Sequence, residues 1–142
     1  YILFNIFYAL FAAPLGSLSD RIGRKKVIAF GYFLFSLTSL GFAFFNSLAA
    51  FMVLFALYGM VYAMVDGNQR AFVSDLSQEE LRATALGIFH TIMGLAALPA
   101  SLIAGLLWQI GHVMTFIYGV AFGMLATILL LAFGRFLGTD RI

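Results

Sequence analysis

The sequence predicts an all-α membrane protein with five transmembrane helices, and three observations support this. The first is composition: hydrophobic residues make up 63% of the 142 residues and charged residues only 10%, with a mean hydropathy of +1.04. A water-soluble domain carries about a quarter charged residues, so this chain has too few to coat a surface in water and belongs in lipid. The second is spacing: five apolar segments follow one another, and the last four approach the roughly 20 residues needed to cross a hydrocarbon core of about 30 Å. The third is charge, since every Lys and Arg falls at alternate junctions between those segments.

The first segment covers Tyr1 to Leu15. It is shorter than a full span, so the expectation is a helix cut short and a chain that is a fragment lacking an N-terminal part. Tyr1, Asn5, Tyr8 and Ala12 share one face at helical spacing, and Asn5 is a candidate buried amide bordering a water-filled path. A glycine-bracketed basic stretch follows, Gly16 to Ile28, holding four of the eight Lys/Arg. It reads as a tight loop in which Gly16 and Gly23 permit a sharp, close-packed turn. Asp20 is the only acid among its cations and could satisfy backbone N–H groups at a neighbouring helix N-terminus.

The second segment runs from Val27 to Phe45 and the third from Leu48 to about Val65. Tyr58, Tyr62, Asp66 and Arg70 recur at i, i+4 and so lie on one helix face. Acid before base at that spacing suits an intrahelical ion pair. Counted from Leu48 at 1.5 Å per residue, Asp66 lies about 27 Å along, near the inner boundary. There it reads first as a structural pair at the rim, with a coupling or substrate role as the alternative. The tyrosines likewise read as an aromatic belt or as ligand contacts.

Ser77 and Glu80 form an S-x-x-E capping box, so a helix is expected from near Gln78. The fourth segment runs from about Thr84 to Trp108. Its Gly87, His90, Gly94, Ala97, Ser101 and Gly105 line one side, and small residues predict that this side packs on protein. His90 would then lie inside the bundle, as a proton relay or as a satisfied structural group. Pro99 should loosen the helix at mid-span by removing one donor. The fifth segment runs from about Val113 to Phe133, where Gly119 and Gly123 make a G-x-x-x-G that reads as ordinary helix packing.

Orientation follows from charge. Arg21, Arg24, Lys25 and Lys26 follow the first segment, Arg70 and Arg82 lie between the third and fourth, and Arg135 and Arg141 follow the fifth. Phe45–Ser47 and Gln109–His112 carry no Lys or Arg. All eight positive residues fall on one side, which the positive-inside rule makes the cytoplasm; the C-terminus is expected there too.

The stretch from Gly16 to Ile28 resembles motif A of the major facilitator superfamily, G-x-L-(A/S)-D-R-x-G-R-K-x-x-(L/I), with every core position filled. The resemblance implies that this loop joins the second and third helices of a six-helix half. It implies further that the loop's Asp and Arg pair with neighbouring helix ends and hold one state of a transport cycle. Carried over, Gly16, Asp20, Arg21, Gly23, Arg24 and Lys25 would form the gating loop. Asp75 to Gly87 resembles the approach to the eleventh helix of these proteins, with Ala83 where they often carry glycine. The third segment lacks the arginine that the fourth helix of the family typically carries, and the chain ends soon after its last span. The resemblance therefore implies helices eight to twelve, most of the C-terminal half.

The function implied is secondary active transport of a small solute by alternating access, proton-coupled and in the direction of efflux. The partners implied are a small-molecule substrate, protons, the lipid bilayer and the missing N-terminal half of the same transporter. The membrane implied is a bacterial inner (plasma) membrane. Asn5, Tyr62, Asp66, Arg70 and His90 are the candidates for a substrate or proton path. A non-transporting membrane subunit or receptor-like member of the same fold is the alternative. An enzyme is not indicated: the chain has no H-E-x-x-H, no G-x-S-x-G and no cysteine, so no metal site or cofactor is expected. No basic face interleaved with aromatics points to nucleic acid.

Overall fold

The computed structural model describes residues 1–136. They form five long helices: α1 (Ile2–Ile22), α2 (Arg24–Phe44), α3 (Leu48–Leu76), α4 (Arg82–Ile110) and α5 (His112–Phe136), with a single 3-10 turn at Glu79–Leu81 before α4. There is no strand among them. Each of the five is long and apolar enough to cross a membrane. The helical state is what lipid requires, because every backbone N–H and C=O must find its partner within the segment.

The five-helix expectation holds, but the junctions differ. The basic stretch is not a loop. The helix α1 runs on through Gly16 and Asp20 to Ile22, and Gly23 alone connects it to α2. Gly23 has φ 100° and ψ 129°, a conformation that side-chain-bearing residues rarely adopt. Gly16, by contrast, lies mid-helix, and a Cβ there would meet nothing within 4 Å. One glycine makes the turn, because without a Cβ it takes this conformation at little steric cost.

The third helix extends eleven residues past the expected end at Val65, to Leu76. Apolar periodicity fades there while backbone hydrogen bonding continues, so hydropathy alone underestimates its length. The capping box does not form: Ser77 Oγ donates back to the Val73 carbonyl at 2.6 Å. The turn Glu79–Leu81 then precedes α4, which starts at Arg82 without a side-chain cap. The helix α4 runs continuously through Pro99, from Arg82 to Ile110.

Packing is uneven. The helix α2 lies along α5 and against α3, α1 lies along α3, and α4 touches α5 and α3 lightly. Glycines set the close approaches. A Cβ on Gly123 would sit 2.4 Å from Ser36 Oγ and 2.9 Å from Phe35 Cδ1, and one on Gly31 would sit 2.6 Å from Val65 Cγ2. The G-x-x-x-G of α5 is thus the contact surface for α2, as ordinary packing requires. Hydroxyls add links there: Ser36 Oγ donates to the Val120 carbonyl at 3.3 Å and Thr127 Oγ1 to the Ala29 carbonyl at 3.4 Å. Leu15, Val27, Ala63 and Met64 form the core where α1, α2 and α3 meet.

The small-residue side of α4 is open in the described chain. No residue of α4 is buried, and Gly87, Gly94 and Gly105 have nothing within 4 Å of an added Cβ. Small side chains permit close approach without supplying a partner, and no described helix of this chain lies against that side.

Candidate functional site

Two polar clusters sit on the α1–α3 pair. The first is at the end where α1 meets α2. Arg24, the first residue of α2, reaches both neighbouring helices: Nη2 lies 2.9 Å from Asp20 Oδ1 of α1 and Nε lies 2.5 Å from Asp75 Oδ2 of α3. A cation at a helix N-terminus opposes the helix dipole, and the two carboxylates offset that. Each pair is partly exposed, so each alone stabilises by about 0–1 kcal/mol. The gain is in geometry, since one guanidinium ties three helices at one level. Asp20 meets the Arg24 side chain at the N-terminal end of α2, four residues on across Gly23. Arg21 is exposed in the last turn of α1, where it complements the dipole. Lys25 is buried, at 5% exposure.

The second cluster surrounds Asp66. Its Oδ2 accepts from Tyr8 Oη of α1 at 3.1 Å and pairs with Arg70 Nη2 at 2.5 Å. Because α3 continues to Leu76, Asp66 is not near its end. It lies nine residues before Asp75, about 14 Å from the Arg24 level at 1.5 Å per residue. Asp66 thus keeps its place about 27 Å along α3 from Leu48, and the helix runs on for ten residues beyond it. An ionisable group within a helix able to span a membrane is by default a candidate functional site.

Asp66 also borders a cavity of about 620 Å³ among α2, α3, α4 and α5. Tyr32, Tyr58, Tyr62 and Gln69 supply its other polar atoms, and Phe35 and Phe122 its apolar walls. The Gln69 amide donates to Tyr32 Oη. Tyr62 packs edge-on to Tyr58 and to Phe4, with centroids 5.2 Å apart in each case. A few polar groups set in an aromatic wall fit the general form of a small-molecule site. A further 620 Å³ space toward the Phe45 end is lined mainly by Phe42, Phe51, Phe55 and Phe116.

Between the clusters, Ser19 Oγ donates to Asn68 Oδ1 at 2.6 Å, and both residues are buried. Asn68 Nδ2 donates in turn to the Met64 carbonyl at 2.8 Å.

Of the expected path residues, Tyr62, Asp66 and Arg70 come together. Two do not join them. Asn5 is exposed and donates to the Tyr1 carbonyl at 3.1 Å, a bond within its own helix. His90 is also exposed; its ring lies against its neighbour Phe89, with centroids 5.3 Å apart. It stands on the open side of α4, not inside the described bundle, because no described helix covers that side. Sequence spacing puts Tyr8 on a face with Asn5 but gives it no partner, and it gives no role to Asp75 or to the Ser19–Asn68 pair. Asp75 would have emerged had α3 been carried past Asp66. Tyr8 and the buried pair depend on how α1 and α3 align, for which local spacing gives no signal. Among the described residues no group of His, Asp and Glu could hold a metal ion. Arg141 lies outside the described residues.

Comparison with known proteins agrees with the motif. The chain is 57% identical over 131 residues to an uncharacterised MFS-type transporter of Methanocaldococcus jannaschii, covering 92% of this chain and 33% of that protein. It is 28% identical over 114 residues to the quinolone resistance protein NorA of Staphylococcus aureus, covering 80% of this chain and 29% of that one. The chain thus spans about a third of the length of these relatives. The family model of the major facilitator superfamily matches residues 1–141. The chain belongs to the major facilitator superfamily.

Proposed function

We propose that the intact protein is a proton-coupled exporter of small amphipathic aromatic solutes, in which this chain forms helices eight to twelve, most of the C-terminal half. The two halves rock about a central site, opening it to each side in turn. The cationic end faces the cytoplasm, in keeping with the positive-inside rule, and the membrane is the plasma membrane of a prokaryote. Relatives from an archaeon and a bacterium support that location.

One observation carries the reading: a carboxylate, Asp66, held between Tyr8 and Arg70 on the wall of an aromatic cavity. Such a group has two partners to choose between, a proton and the Arg70 guanidinium, and an exchange between them couples its charge to the position of α1. The cluster of Asp20, Arg24 and Asp75 is the gate, since a movement of α1 relative to α3 must break or remake those pairs. Export is supported by the relative named for quinolone resistance. The aromatic lining supports the solute class, because planar rings stack on tyrosine and phenylalanine.

The test is quinolone uptake into inside-out vesicles containing the full-length protein, with an imposed pH gradient, acid inside. Accumulation that collapses when the gradient is dissipated is the expected result. Accumulation indifferent to the gradient would remove proton coupling, and none at all would remove quinolones from the substrate class.

A further inference from the structure

The helices α1 and α3 have their backbones in contact near Gly59 and, toward the cationic end, leave a groove on one side of their buried contact. At Gly59 an added Cβ would lie 2.5 Å from the Phe4 carbonyl and 3.1 Å from the Tyr8 nitrogen, so the two backbones are in contact there. Toward the cationic end, Gly16 of α1 and Gly67 of α3 have nothing within 4 Å of an added Cβ. A crevice of about 240 Å³ opens between them. Its lining runs from Tyr8 at the inner end, past Ala12, Gly16 and Asn68, to Asp20 and Arg24 at the mouth. From Tyr8 to Asp20 is twelve residues of α1, about 18 Å.

Three properties fit this crevice to water. At about 240 Å³ it is large enough to admit water. Polar groups occur at both ends and along the wall, giving such waters the partners they need. Its inner end is one hydrogen bond from the Asp66 carboxylate, through Tyr8 Oη at 3.1 Å. The buried Ser19–Asn68 bond seals the crevice from the core behind it.

We propose that this crevice is an aqueous half-channel, contained within one half of the transporter, that joins Asp66 to the cationic face of the membrane. Water and protons reach the carboxylate between α1 and α3, apart from the cavity that borders its other side among α2 to α5. The purpose of the channel rests on the reading of Asp66 as the coupling group; the accessibility it requires does not. The groups facing Asp66 are Tyr8 from α1 and Arg70 from its own helix, with Tyr58 and Tyr62 of α3 and Tyr32 of α2 on the cavity side.

This stretch contains no cysteine, so single cysteines can be read against a background in which any elsewhere in the full-length protein are replaced. Ala12→Cys probes the crevice, and Lys26→Cys, exposed at the start of α2, marks the side on which the cationic end lies. A membrane-impermeant thiosulfonate is applied to each face of sealed vesicles in turn. Ala12→Cys is expected to react from the same side as Lys26→Cys, at least tenfold faster than from the other. Adding Gly67→Leu, whose side chain enters the crevice, is expected to slow that reaction at least tenfold, while Gly67→Ala leaves it within about twofold. An Ala12→Cys that is inert from the Lys26 side, or that reacts at an unchanged rate behind Gly67→Leu, overturns the proposal. Loss of coupling in an Asp66 variant leaves these labelling rates as they are, so the two readings fail separately.

Discussion

Ser19 and Asn68 are the most deeply buried polar side chains joining α1 to α3, at 0% and 3% exposure. The Ser19 hydroxyl satisfies Asn68 Oδ1, and removing it leaves a buried acceptor without its donor. Ser19→Ala is therefore expected to lower stability by about 1–3 kcal/mol, read as a lower thermal midpoint of the purified full-length protein in detergent. An unchanged midpoint would mean that the amide finds another partner. At this scale the sequence was partly legible. Asp66 and Arg70 were visible as an i, i+4 pair and form one, whereas Tyr8 and Asn68 acquire meaning only when two helices far apart in the chain are aligned. His90 and Asn5 are exposed on the described helices, and no described residue from another helix meets either of them.

Each helix is held by features of different kinds. Gly23 supplies the whole connection between α1 and α2 at φ 100°, so Gly23→Ala should cost about 1–3 kcal/mol in backbone strain. Gly16→Ala, with open space around it, should not lower the thermal midpoint, and the contrast between them is the check. The α2–α5 contact depends on Gly123. A branched side chain there meets Ser36 Oγ, the Phe35 ring and the Tyr32 carbonyl. Gly123→Val is expected to destabilise by about 1–3 kcal/mol through overpacking, measured by the same thermal unfolding. Helix number was legible because lipid imposes length and apolarity on every span. Helix ends were not, since hydropathy fades where α3 leaves the apolar core while its backbone hydrogen bonds run on to Leu76. The capping box at Ser77 failed for a related reason: the serine turned back to close the end of α3.

In the whole molecule, the Arg24 bridge to Asp20 and Asp75 and the pairing of Asp66 with Tyr8 both lie on the α1–α3 contact, about 14 Å apart. A shift of α1 along α3 would change both together, which on the proposed reading links the gate to the charge of Asp66. Asp20→Ala is expected to reduce turnover at least tenfold in a quinolone flux assay on the full-length protein, while yield and thermal midpoint change little, because the pair it removes is exposed. Normal turnover would take the gating role away from this cluster. The family was legible in one stretch of thirteen residues, Gly16 to Ile28, although that stretch is mostly helix and not the loop its composition suggested. The measurement that bears most directly on the whole account compares two fluxes in vesicles carrying Asp66→Asn: quinolone exchange at equal pH, and quinolone accumulation driven by a pH gradient. The account predicts that exchange persists while the gradient no longer drives accumulation; accumulation as strong as that of the unaltered protein would contradict it.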